Sequence, residues 1–427
     1  MNGSVWKSWL IPGGVLLALA AALVNSPLLG RVASSIGFYY FAVFGAGLVL
    51  AWRFNSSRVL FSLLTLLLAH RAVEFFAAGH ANTAPGHTAV VLVGLLVPVN
   101  YIAFAFMRER GLTIAGIAPR FGILFLQSVV VAVFCRPENS SVLTDRSRET
   151  LPWWVLISFA AGIAGLILHF FQTRKPIETG FLWSLMAVLL WLNFTPIGKV
   201  ADTYVATAGL ILLASLIETS YVLAYYDELT GIRGRRAFNE SLLSLDQQYA
   251  IAIVDIDHFK QFNDTYGHDV GDQVLRMVAG RLSGISGGGQ AFRCGGEEFA
   301  IVFRNMSARD AYERLDALRQ TIQDSRFRVR GTERRSMARS EAPDRRKPGR
   351  RKPGLATPQE IPAELSVTVS IGVAEPGTRN RQPEQVISAA DQALYRAKHN
   401  GRNRVELASM APVKLARKKR MNARNSG

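Results

Sequence analysis

The chain has 427 residues, 49% hydrophobic and 19% charged, with two cysteines and a formal net charge of +17. That length allows two or three domains, and two distant cysteines exclude a disulfide framework or a cysteine-based metal site. Residues 326–352 hold twelve Lys/Arg against three Asp/Glu, and residues 413–427 hold six Lys/Arg and no acid. The surplus charge therefore sits in two appendages, which argues against a basic nucleic-acid-binding fold; beside an anionic leaflet each such residue gains roughly 1 kcal/mol.

In chain order, the apolar excess lies before about residue 225. A membrane helix needs about 20 mostly apolar residues. Stretches near 9–25, 36–52, 59–79, 87–107, 120–135, 153–172, 179–194 and 203–224 read as spans. They predict a polytopic α-helical membrane domain of about eight helices over residues 1–225, with the lipid bilayer as its surroundings. The first run passes into Asn25-Ser26-Pro27 without a cleavage site, as a signal anchor does. Eight Lys/Arg fall on the inferred inner segments and five on the outer ones. This positive-inside bias predicts that the soluble half lies in the cytoplasm.

Ionisable residues inside the spans are His70, Arg71, Glu74, His169 and Glu218. Such residues usually face a bundle interior and pair there. His70 and Glu74, four apart, share a helix face, which suits a pocket for a sensory ligand or a metal; simple pairing with Arg71 is the alternative. The last span runs almost directly into Tyr225-Tyr226-Asp227, with no linker between.

The soluble half, residues 226–408, alternates helix and strand signals. Helices are predicted over 236–246, 271–285, 308–323 and 384–400, and strands over 249–256, 290–293, 298–304 and 365–374. The fold class is α/β. Residues 330–362, rich in Pro, Arg and Lys without periodicity, read as a disordered insert, and residues 409–427 as a basic tail.

The buried strand Ile251-Ala252-Ile253-Val254 ends in Asp255-Ile256-Asp257, where packing gives little reason for an acid. Gly295-Gly296-Glu297-Glu298 lies between two short strands and reads as a tight hairpin. If the hairpin lies beside the first strand, the carboxylates converge. Hard oxygens clustered in this way suit Mg²⁺, and two such ions support phosphoryl transfer. Asn263, His268 and Asp272 stand in dense polar punctuation before a helix. An Asp can accept from the guanine N–H edge and an Asn can serve the rest; an ordinary loop with an N-cap would look the same.

Together these strings resemble the GGDEF family of diguanylate cyclases. The matching blocks are DELTGIRGRRAF (227–238), DIDHFKQFNDTYGHDVGDQVL (255–275), RCGGEEF (293–299), VTVSIGVA (367–374) and ADQALYRAKHNGRNRV (390–405). The resemblance implies a nucleotidyl-cyclase or polymerase-palm-like fold, with a central antiparallel sheet flanked by helices. It implies condensation of two GTP into cyclic di-GMP across a homodimer, with two Mg²⁺ or Mn²⁺ per active site. Asp255, the Ile256 carbonyl, Glu297 and Glu298 would hold the metals, and Glu297 would take or orient the 3′-hydroxyl proton. Asn263 and Asp272 would read guanine, with His268 against the nucleotide. The amides of Phe259 and Lys260, with Lys398 and Arg402 one turn apart on the last helix, would hold the phosphates, assisted by Arg293. A GTP or cyclic di-GMP receptor without turnover is the alternative.

The chain departs from the family pattern in three places. Gly234 stands where Asn is usual, and Ser286 and Gly289 stand where many members carry an Arg-x-x-Asp inhibitory site, so no product feedback is expected there. The basic insert is the third departure, open to membrane binding, polyanion binding or a passive loop.

Overall fold

The computed structural model describes residues 12–77, 84–136, 138, 151–194, 196–326, 364–377 and 382–408. The basic insert expected at 330–362 and the tail at 409–427 lie outside the described residues. The chain divides into two units, Met1–Val222 and Leu223–Gly427.

Among the described residues the first unit contains eight helices: α1 (Gly13–Val24), α2 (Leu28–Arg53), α3 (Ser57–Ala77), α4 (Ala84–Phe106), α5 (Ile114–Phe134), α6 (Trp153–Thr173), α7 (Pro176–Phe194) and α8 (Lys199–Tyr225), the last running three residues into the second unit. Seven are long and apolar enough to cross a membrane, and α1 has twelve described residues. The fifth and seventh spans, short in the sequence reading, extend to 21 and 19 residues. Polar flanks at Thr113 and Glu178 had hidden their true starts. Thr113 caps α5 by accepting from the Gly116 N–H.

A charge inside an apolar bundle needs partners, and Glu178, 1% exposed, has them. Arg58 approaches it at 3.1 Å and the His169 Nε2 at 3.4 Å. Arg58 also donates to the carbonyls of Met107 and Ala105. His169 thus pairs with Glu178, a residue the sequence reading had placed outside the spans.

The second unit is a six-stranded sheet covered on both faces. Its strands are β1 (Arg233–Gly234), β2 (Tyr249–Ile256), β3 (Gln290–Arg293), β4 (Glu298–Arg304), β5 (Val369–Ala374) and β6 (Val405–Leu407), in the order β1-β3-β4-β2-β5-β6. The four central strands pair antiparallel, while β1 and β6 join in parallel at the edges. The sheet is therefore mixed, its antiparallel centre as expected. The helices are α9 (Arg235–Leu243), α10 (Phe259–Tyr266), α11 (His268–Ser283), α12 (Ala308–Gln323) and α13 (Pro383–His399).

A strand sends alternate side chains to opposite faces. On β2, Ala250, Ala252 and Val254 enter one core with Val274 and Val278 of α11 and Leu315 of α12. Tyr249, Ile251 and Ile253 enter the other with Phe238 of α9 and Val386, Ala390 and Leu394 of α13. This alternation assigns Asp255 to the α13 face. Gly372 of β5 lets α13 settle there: a Cβ at that position would stand 2.1 Å from the Ala390 carbonyl oxygen.

Two local expectations are corrected. The polar stretch before the second helix is itself α10, separated from α11 at Gly267, whose φ of +87° an L side chain rarely adopts. The last helix stops at His399, and Gly401 (φ +109°) leads Arg402 into a left-handed turn. Lys398 and Arg402 therefore do not share a helix face.

Candidate active site

Asp255 lies near the end of β2, 4% exposed, directly opposite Glu298 in the β2–β4 register. Like charges facing each other across a ladder destabilise it, so packing cannot be the reason for this pair. The Cys294 and Gly295 N–H groups both donate to the Glu298 carbonyl, at 2.9 and 3.1 Å. This closes the hairpin that carries Glu297. Lys398 crosses from α13 to place its Nζ 2.8 Å from Asp255 Oδ1.

The electrostatics follow from that crowding. Burial pushes the Asp255 carboxyl above its ordinary range, opposed by Lys398. Burial, then the Asp255 charge, does the same to Glu297. Asp391 of α13 is likewise raised by burial and by Glu298, a further acid at this face that the sequence reading did not select. Burial also pushes the Cys294 thiol up to about 12, which keeps it protonated and unreactive.

Arg293, expected at the phosphates, is engaged in the scaffold. It donates to Asp227 at 2.8 Å and to the hairpin carbonyls of Gly295 and Gly296 at 3.2 and 2.7 Å. Asp227 also accepts from the Thr230 N–H and hydroxyl. Burial alone would raise its carboxyl, but these hydrogen bonds outweigh it and hold the group below the usual range. The DELTG segment is in this way tied to the hairpin.

A second carboxylate had been passed over. Asp257, 8% exposed, accepts from Thr368 Oγ1 at 2.7 Å, Ser370 Oγ at 2.6 Å and the Asn403 N–H at 3.0 Å. It fixes the turn that carries Arg402. Its partners lie 111 to 146 residues away in sequence, so only the faint signal of an acid after a buried strand could have marked it.

Beyond β2, His258 takes a left-handed conformation (φ +57°) and α10 begins. The first N–H groups of a helix, here those of Phe259 and Lys260, lack intrahelical acceptors and attract anions. Asn263 of α10 lies over Gly271 of α11, its Oδ1 1.8 Å from where a Cβ would stand. That oxygen is buried and has no hydrogen-bond partner among the described residues. Asp272 follows Gly271, half-buried, and His268 is exposed at the start of α11.

Residues 224–339 and 354–404 match the family described as "Diguanylate cyclase, GGDEF domain", the break falling within the basic stretch. The GGDEF domain of DgcB from Caulobacter crescentus, solved in complex with c-di-GMP, is 31% identical. That match covers 44% of this chain and 94% of the solved domain, with a TM-score of 0.34. The chain belongs to the GGDEF family. Other relatives of this GGDEF protein include the diguanylate cyclase VdcA of Vibrio cholerae, 36% identical over 43% of this chain and 46% of VdcA. The probable diguanylate cyclase DgcT of Escherichia coli is 31% identical over 63% of this chain and 57% of DgcT. The chain thus spans about half the length of the curated relatives it matches.

Proposed function

We propose that this protein is a diguanylate cyclase, joining two GTP molecules into cyclic di-GMP with release of two pyrophosphates. The observation that carries the reading is the set of acids at one sheet end: Asp255 opposite Glu298 in register, Glu297 beside them, and the Lys398 ammonium on Asp255. Clustered carboxylates, with an ammonium already standing among them, make a donor set that fits divalent cations. Asp255, the Ile256 carbonyl, Glu297 and Glu298 would hold two Mg²⁺ or Mn²⁺. When bound, such ions activate an attacking hydroxyl and neutralise phosphate charge.

The remaining roles belong to the chain's own residues. The buried Asn263 Oδ1 has spare acceptor capacity for the guanine amino group, and Asp272 accepts from the same edge. Adenine, with a donor and an acceptor reversed there, would leave both acids and amides mismatched. The α10 N-terminus, through Phe259 and Lys260, cradles the phosphates with Arg402. Lys398 joins them once Asp255 is otherwise neutralised. Glu297 takes or orients the 3′-hydroxyl proton, its proton affinity raised by burial and then by the Asp255 charge. The 3′-oxygen bonds to the α-phosphorus of the second GTP as the bond to pyrophosphate breaks. A second such attack closes the ring.

Each GGDEF domain holds one GTP, so the active form is a homodimer with facing half-sites. The membrane unit sets dimer geometry in response to its signal and keeps the catalytic domain on the cytoplasmic side of the inner membrane. Full-length protein in detergent, given Mg²⁺ and GTP with products resolved by chromatography, tests this. Cyclic di-GMP and pyrophosphate in a 1:2 ratio support the reading. GTP binding without turnover, even when dimers are enforced, would assign the chain to the receptors.

A further inference from the structure

Four helices of the first unit meet around one imidazole. His70 of α3 is 2% exposed, flanked by the rings of Tyr40 from α2 at 5.1 Å and Trp191 from α7 at 5.6 Å. Its Nε2 stands 3.3 Å from Asp202 Oδ1 in the first turn of α8, and its Nδ1 3.8 Å from Glu74 Oε2, one turn along α3. The Glu74 contact is too long for a hydrogen bond, and the Asp202 contact does not meet its geometry. Neither ring nitrogen has a hydrogen-bond partner among the described residues, and the buried Tyr40 hydroxyl is in the same state.

Buried polar atoms are nearly always satisfied, and each exception calls for a reason. Here the reason lies in the donor set. His70, Glu74 and Asp202 each offer one ligand atom, and these atoms lie within 4.8 Å of one another. Ligands about 2.0–2.1 Å from a tetrahedral ion are separated by roughly 3.4 Å, a distance that small rotations of the two carboxylates supply. Arg71 lies 3.0 Å from Glu74 and Lys199 3.6 Å from Asp202, each on one carboxylate oxygen, which leaves the second oxygen of either group to a metal ion.

We propose that His70, Glu74 and Asp202 form a site for a divalent transition-metal ion, with Zn²⁺ the best fit. One imidazole and two carboxylates are a Zn²⁺ donor set that leaves a position for water or an external ligand. The ion would tie α3 to the start of α8 and take one of the two ring nitrogens. It is independent of the cation site at Asp255.

The test uses full-length protein in detergent, purified on a tag without histidines and carrying Glu297→Ala/Glu298→Ala, which removes those two candidate ligands at the other metal site. After chelator stripping, Zn²⁺ is titrated by competition with a chromogenic chelator, and Co²⁺ is added separately for its visible spectrum. One Zn²⁺ per protomer is expected. His70→Gln and Asp202→Asn should each weaken binding at least 100-fold and abolish the Co²⁺ band. Glu74→Gln, at a half-exposed position that folding tolerates, should weaken binding about tenfold. Wild-type binding no tighter than that of the His70→Gln/Asp202→Asn double variant would overturn the proposal, leaving His70 as a structural contact between two carboxylates. So would undiminished affinity in Glu74→Gln and Asp202→Asn together.

Discussion

Asp257 offers a sharp separation of scaffold from chemistry, because it is buried close to the candidate carboxylates and both its oxygens accept hydrogen bonds from the chain. Its two oxygens take three hydrogen bonds, from Thr368, Ser370 and the Asn403 backbone. A hydrogen bond to a charged group contributes about 1.5–3 kcal/mol, and a stranded buried partner adds its desolvation cost. Asp257→Ala should therefore cost about 4–6 kcal/mol, much of a domain's total stability of about 5–15 kcal/mol. Asp257→Asn keeps the shape and loses only charge assistance, about 1–2 kcal/mol. The freed segment is the turn carrying Arg402, so the Asn variant should raise the KM for GTP several-fold while leaving kcat within about threefold. Thermal inactivation and steady-state cyclisation of the full-length protein measure both. If Asp257→Asn lost kcat at saturating GTP with KM and thermal stability unchanged, Asp257 would be a metal ligand and the scaffold assignment would fail.

Three further outcomes follow from the same geometry. Glu297→Gln should lower kcat at least 100-fold while GTP affinity, read by equilibrium binding, moves less than threefold; equal losses in both would remove its role as base. The carboxyls of Asp255 and Glu297 are held above their ordinary range and must lose their protons to take a cation. The Mg²⁺ concentration for half-maximal activity should rise as pH falls, beginning at a higher pH than unperturbed carboxylates would give. A requirement that rises only where unperturbed carboxylates titrate would contradict the shifts. Gly234 has φ −91° and an unfilled N-cap at α9, and a Cβ there would meet nothing closer than 3.7 Å. Gly234→Asn should thus stabilise the domain by a few tenths of a kcal/mol without changing kcat, and a destabilised variant would show that the glycine is needed.

How much of this was legible depends on the range of the interaction. Strands β2, β3 and β4 and helix α12 occupy the residues that periodicity assigned to them, because their apolar patterns are local and strong. The convergence of Asp255 with Glu298 needed only the pairing of two such strands. Helix α10 was missed because its eight residues are mostly polar and only Phe259 is buried, so the apolar signal that marks other helices is weak. Arg402 was placed on a helix face because spacing alone does not register the break at Gly401. Asp257, Asp202 and Glu178 were passed over for a common reason. Their partners come from distant segments, and an acid at the edge of an apolar run looks like a boundary until the fold brings the other side to it. Arg293 shows the converse: the family resemblance put it at the phosphates, whereas its side chain is held by Asp227 and the hairpin.

The central claim is that the acids around Asp255 perform nucleotidyl transfer, and the most direct measurement compares cyclic di-GMP formation by wild type and Asp255→Asn at saturating Mg²⁺ and GTP. The substitution keeps size and removes one charge from the pair facing Glu298. Product from wild type, a loss of at least 1,000-fold in the variant and GTP affinity within a few-fold of wild type is the predicted result. A variant that cyclises GTP as fast as wild type would contradict the account.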